Sequence, residues 1–170
     1  MPHDPVYSMP PHLLIDGYNY IGRTSLAGMF GSAGTEQARD YLLDQLAEYR
    51  SAKHAKITVV FDAYAGVHLV RSRTNYKGVE VIYSGRDETA DDVIRQMIKS
   101  RPAGLVVVSS DRAIIDEAKR HGVVFMVPGR LEVSLSGEAE HEGTHGADRK
   151  GEGRKLPKRV RRARRTLNKV

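Results

Sequence analysis

A chain of 170 residues, 40% of them hydrophobic, suits one domain with a proper core, and it contains no apolar run of the ~18 residues that a membrane span needs. The absence of cysteine excludes a disulfide frame, thiolate-held zinc and a cysteine nucleophile, and it fits a reducing cytoplasm, the compartment expected here. The net charge of +6 is segregated: residues 149–170 hold eleven of the 27 Lys and Arg and one of the 21 acids, a net of +10, which leaves residues 1–148 at −4. Such an arm suits a polyanion, with a purely solubilising tail as the alternative.

Residues 1–11, within "MPHDPVYSMPPH", read as a loose leader and lack the apolar core of a signal peptide. "LLI" at 13–15 then runs straight into Asp16 and Gly17. "TEQARDYLLDQLAEYR" repeats Ala38, Leu42, Leu46 and Tyr49 at helical spacing behind Thr35, a plausible cap. "ITVVF" (57–61) and "VEVIY" (79–83) are further apolar runs, the second followed by "SGRDETADD" and a helical pattern carrying Val93, Ile94, Met97 and Ile98. "LVVV" (105–108) leads through "SSD" into a helix with Ile114, Ile115 and Ala118 that Gly122 would stop. "VVFMV" (123–127) is the fifth run. Continuous rather than alternating hydrophobicity is what strands buried on both faces require, and strands alternating with helices imply a parallel sheet covered on both sides. The expected organisation is therefore one domain over 12–135, a Gly- and charge-rich linker over 136–155 and a basic tail over 156–170.

Acids follow four of these runs. Asp16 follows the first, Asp62 the second, Asp87, Glu88, Asp91 and Asp92 the third, and Asp111 the fourth. In an open parallel sheet all strand C-termini share one edge, so these carboxylates should converge on one rim. Clustered carboxylates raise one another's pKa unless a cation neutralises them, and hard oxygen donors in this number suit Mg²⁺ or Mn²⁺. Each acid also has a structural reading. Asp111 and Asp62 can cap helices or turns, Thr89 and Asp92 have capping-box spacing, Asp91 suits a helix dipole, and Asp87 and Glu88 can be solvated loop charges. Four acids on one edge are harder to explain that way than any one of them.

Rival chemistries lack their residues. A haloacid-dehalogenase-type phosphatase needs a second Asp where Tyr18 stands, and a phosphorylated receiver needs a Lys after the fifth strand, where "VPGR" has none. Neither GxxxxGK[ST] nor GxGxxG cradles a nucleotide. His141 and His145 lie in the Gly-rich linker and read as a solvated pair, and Ser109 or Ser110 has no evident His partner.

"LLIDGYNYIG", "EQARDYLLDQLAEYR", "VVFDAY", "VEVIYSGRDETADDVI" and "VVSSD", in that order, resemble the YacP-like branch of the NYN domains over roughly residues 12–127. The resemblance implies a PIN-like α/β/α fold of three layers, with a central parallel sheet in the order 3-2-1-4-5 that sets Asp16 beside Asp111. It also implies a metal-dependent endoribonuclease using Mg²⁺ or Mn²⁺. By the same resemblance Asp16, Asp91 and Asp111 are the catalytic acids. Asp16, Asp62, Asp91 and Asp111 form the metal set, with Glu88 and Asp92 as further candidates, and Asn19 holds a carboxylate or a substrate phosphate. Relatives continue after the fifth strand into an ordered helix, whereas "PGRLEVSLSGEAEHEG" reads here as the way into the linker.

RNA, single-stranded or mRNA-like, is the expected substrate, with the ribosome as a candidate partner. Arg71, Arg73, Lys77, Arg86, Arg95 and Arg112 in the body could draw phosphates, as could Arg161, Arg162, Arg164 and Arg165 in the tail. Tyr18, Tyr20, Tyr64 and Tyr76 are either base-stacking groups or core. A non-catalytic RNA-binding or adaptor protein on the same fold is the competing reading.

Overall fold

The computed structural model describes residues 9–31, 34–63 and 69–137. Strands β1 (His12–Asp16), β2 (Lys56–Phe61), β3 (Ser72–Tyr76), β4 (Val79–Tyr83), β5 (Leu105–Val108) and β6 (Val124–Met126) form one sheet in the order β3-β4-β2-β1-β5-β6. All neighbours are parallel except β3 and β4, which form an antiparallel hairpin. The sheet is therefore mixed and six-stranded, a correction to the five parallel strands ordered 3-2-1-4-5. The addition is β3, whose sequence SRTNY is polar and largely exposed at the sheet edge, so it carries none of the apolar signal that marks a buried strand.

Helices α1 (Gly17–Arg23), α2 (Ser25–Phe30), α3 (Thr35–Lys53) and α6 (Pro128–Ser136) pack on one face, and α4 (Ala90–Ser100) and α5 (Arg112–Arg120) on the other. Strand alternation divides the core accordingly. Leu13, Ile15, Ile57, Val59 and Phe61 point to the first face, and Leu14, Val60, Ile82 and Val107 to the second. This is a three-layer α/β/α arrangement. No helix among the described residues is long and apolar enough to cross a membrane.

Local chemistry sets the helix ends. Thr89 and Asp92 form the full capping box that opens α4, and Asp111 caps α5. Gly122, at φ 65°, turns the chain after α5. Thr35 is the first residue of α3 rather than its cap; Gly34 takes that place. After β6 the stretch "PGRLEVSLS" is helical, with Pro128 in the first turn, where its missing N–H costs nothing. This corrects the expectation that the chain departs from its relatives by lacking an ordered helix after the fifth strand.

Gly17 couples β1 to the rest of the core. A Cβ placed there would stand 2.2 Å from the ring of Phe61, which is fully buried and cannot yield. Gly17→Ala is therefore expected to lower the free energy of unfolding by about 3 kcal/mol, the upper end of overpacking costs, as read by urea titration.

Candidate active site

Asp16, Asp62 and Asp111 emerge with the C-terminal ends of β1, β2 and β5, and Asp91 lies in the first turn of α4 after β4. Asp16 ends the central strand and is buried. Its carboxylate accepts from Ser109 Oγ at 3.2 Å and from the Asn19 backbone N–H. The same Ser109 hydroxyl accepts the Asp111 N–H at 3.0 Å, so one buried serine joins the two acids at the centre of the rim. Asn19 uses its side-chain oxygen on Ser110, accepting from the backbone N–H at 2.9 Å and from the hydroxyl at 3.1 Å. It ties the β1–α1 turn to the β5–α5 turn. The sequence reading weighed Ser109 only as a nucleophile and missed this bridging role, for which "SSD" after an apolar run was the available signal. The Asn19 side chain, expected to hold a carboxylate or a phosphate, holds Ser110 instead.

The other acids differ in what already occupies them. Asp111 Oδ1 caps α5, accepting from Ala113 N at 2.8 Å and Ile114 N at 3.1 Å. Asp62 Oδ1 accepts from Ala90 N at 2.7 Å and so holds the first residue of α4. Asp92 is committed to Thr89 through the capping box, which keeps its carboxyl below the usual range. Both oxygens of Glu88 are taken by Arg71, one of them also by Gly85 N, and the pairing holds Glu88 down at about 2. Asp91 makes no side-chain hydrogen bond among the described residues. Geometry therefore gathers Asp16, Asp62, Asp91 and Asp111 at the rim and assigns Asp92 and Glu88 to structural partners.

Electrostatics follow from this crowding. Burial, then the nearby charge of Asp91 and more weakly that of Asp62, push Asp16 up from 3.8 to about 6 against its hydrogen bonds. Asp91 is raised by burial and then by Asp111, with Arg95 opposing. A set of hard carboxylate oxygens in mutual repulsion fits a divalent cation of the Mg²⁺ or Mn²⁺ kind, which would relieve that repulsion. Among the described residues, no three His, Asp or Glu side chains are already gathered around one point closely enough to hold an ion.

The cations are less concentrated than their sequence positions imply. Lys77 sits in the β3–β4 turn at the opposite edge of the sheet, paired with Asp44 at 2.7 Å, so the structure does not bring it to the acids. Arg73 reaches Glu80 at 3.1 Å, and Arg71 is engaged by Glu88. Arg86 and Arg112 are exposed beside the rim, in the loop before α4 and at the start of α5. Tyr20 is core at 1% exposure, and Tyr76 donates to Asp44 away from the site. Tyr18 is half-buried against Phe61, with ring centroids 5.0 Å apart. Tyr64, His141, His145, Arg161, Arg162, Arg164 and Arg165 lie outside the described residues.

A three-layer α/β/α domain whose central strands deliver carboxylates to one rim has the architecture of the PIN-like nuclease class. The chain belongs to the YacP-like NYN domain family, whose pattern it matches over residues 13–169. It is 39% identical over 88 residues to the uncharacterized protein YacP of Bacillus subtilis, which is 52% of this chain and 51% of that protein. That match spans about half the length of the curated relative. Two crystal structures of Rae1 (YacP) from Bacillus subtilis are similar. One, of a point mutant, has a TM-score of 0.63 and 29% identity over 75% of this chain and 76% of that one. The other has a TM-score of 0.62 and 26% identity over 94% and 82%.

Proposed function

We propose that this chain is a metal-dependent endoribonuclease that hydrolyses RNA phosphodiester bonds on the carboxylate rim, with Mg²⁺ or Mn²⁺ as the cation. The charge conflict at Asp16 carries the reading: a buried carboxylate at the end of the central strand, raised to about 6, has acids rather than a fixed cation as its strongest charged neighbours. A protein that needed this position only for stability would gain by replacing the acid.

Asp16, Asp91 and Asp111 would hold the ion, with Asp62 beside them. The bound ion would supply a more acidic water as nucleophile and charge stabilisation for the departing oxygen. The chain's own groups do the rest. Ser109 and Asn19 fix the Asp16 carboxylate, and the α5 N–H groups fix that of Asp111. Asp91, with no hydrogen-bond commitment among the described residues, would offer its carboxylate to the ion without giving up a structural contact. Arg86 and Arg112 draw the RNA phosphates, and single-stranded or mRNA-like RNA, ribosome-bound RNA included, is the substrate class.

Incubation of the purified protein with single- and double-stranded RNA and DNA, in Mg²⁺, Mn²⁺ or EDTA, tests the reading. Internal cleavage of RNA that EDTA abolishes is the expected result. RNA binding without cleavage in either cation would establish instead the non-catalytic adaptor. Deleting residues 149–170, a net of +10, should weaken RNA binding and flatten its salt dependence while single-turnover cleavage at saturating RNA stays within about twofold. An unchanged salt slope would take the tail off the RNA.

A further inference from the structure

Beside the rim, two half-buried charges are consumed by each other. Arg71 donates from Nε to Glu88 Oε1 at 2.8 Å and from Nη2 to Glu88 Oε2, and the same Nη2 also reaches Gln96 of α4 at 2.9 Å. Glu88 Oε1 additionally accepts from Gly85 N at 3.0 Å. The backbones are in close contact as well. Arg86 N donates to Leu69 O, and a Cβ on Gly85 would stand 3.0 Å from Arg71 N and 3.3 Å from the Val70 carbonyl carbon. Segment 69–71 is thus sealed onto the 85–88 turn by polar contacts. Hydrophobic burial does not hold it there, because Leu69 and Val70 are 71% and 76% exposed.

The turn leads directly into the site. Thr89 caps α4, Ala90 is held by Asp62 from the end of β2, and Asp91 follows. The start of α4 is therefore fixed from two directions, by Asp62 on one side and by Arg71 through Glu88 on the other. We propose that Arg71 and Glu88 form a positioning clasp that fixes the 85–88 turn and sets the start of α4 so that Asp91 faces Asp16 and Asp111. The proposal rests on the nuclease reading above. It gives both residues roles other than those their chemistry first suggests: with its fork on a carboxylate, Arg71 is not a phosphate contact, and with both oxygens engaged, Glu88 is not an ion ligand.

The test compares wild type, Arg71→Ala, Arg71→Lys, Glu88→Gln and the Arg71→Ala/Glu88→Gln double variant. Each is assayed for single-turnover RNA cleavage, for RNA affinity against salt in EDTA, for the Mg²⁺ concentration at half-maximal rate, and for hydrogen exchange of the amides of residues 85–91. The clasp predicts a rate loss of about tenfold or more in both single alanine and glutamine variants, with no further loss in the double variant. Lysine, which cannot make the two-pronged contact, should not rescue. RNA affinity and its salt slope should stay within about twofold and amides 85–91 should exchange faster, while any rise in the Mg²⁺ midpoint, acting through Asp91, should be the same in Arg71→Ala and Glu88→Gln.

Weakened RNA binding with a shallower salt slope in Arg71→Ala alone would make Arg71 a phosphate contact and overturn the clasp. A raised Mg²⁺ midpoint in Glu88→Gln alone would make Glu88 a ligand and overturn it equally. Unchanged rates in all variants would remove the positioning role. Should wild type cleave nothing, the nuclease reading fails separately. The exchange measurement then still decides whether Arg71 and Glu88 hold the turn, and unchanged protection in Arg71→Ala would sink that too.

Discussion

Asp16→Asn should melt higher than wild type at pH 7 in EDTA while losing RNA cleavage by about a thousandfold or more. The stabilising half follows from the sign of the pKa shift. Asp16 is raised in the folded protein from 3.8 to about 6. Below pH 3.8 the group is neutral in both states and contributes nothing. As pH rises towards 6 the unfolded chain releases the proton first, so stability falls, and above 6 the penalty is complete. At about 1.4 kcal/mol per pH unit the ceiling is about 3 kcal/mol, or roughly 6–12 °C in Tm for a chain of this size. Asn at position 16 escapes this penalty and can still accept from Ser109. The gap between variant and wild type should therefore open between about pH 4 and 6 and stay open above. Added Mn²⁺ should narrow it by raising wild type alone. A gap independent of pH would mean that repulsion at Asp16 is not what the substitution relieves.

Asp91→Asn and Asp92→Asn, one residue apart, should part company. Asp92 serves Thr89 through its side chain, so its loss should lower the urea midpoint and leave cleavage within a fewfold of wild type. Asp91 serves no described hydrogen bond and adds to the repulsion on Asp16, so its replacement should abolish cleavage with little loss of thermal stability, or a slight gain. Single-turnover rates and urea titrations of both variants give the answer. Activity lost only at position 92 would move the chemistry to the capping residue.

The parts of this arrangement that were legible in the sequence are those written in short range. An apolar run ending in an acid gives both a buried strand and the rim position of its carboxylate, so Asp16, Asp62 and Asp111 could be placed without coordinates. The capping box was legible because its partners are three residues apart. What was not legible depended on pairing across distance or on polar edges. The polar strand β3 is invisible to a search for buried runs. Missing it also misplaced Lys77: six residues of extended chain at ~3.3 Å each carry it about 20 Å from Arg71, to the far edge of the sheet. The Arg71–Glu88 pairing spans 17 positions, and nothing in either local sequence announces it. Ser109 lay inside a recognised motif, but its double contact exists only once β1 and β5 are neighbours. The turn after β6 misled in another way. The chain was expected to lack the ordered helix that relatives have there, whereas Pro128 in the first helical turn is a start signal.

The central claim is that the acidic rim hydrolyses RNA with a divalent cation, and single-turnover cleavage of one labelled single-stranded RNA tests it most directly. Wild type and Asp16→Asn, purified side by side, are assayed in Mn²⁺ and in EDTA. The account predicts internal cleavage by wild type in Mn²⁺ only, and none by Asp16→Asn in either condition. Equal cleavage by the two proteins, or cleavage by wild type that survives EDTA, would contradict it.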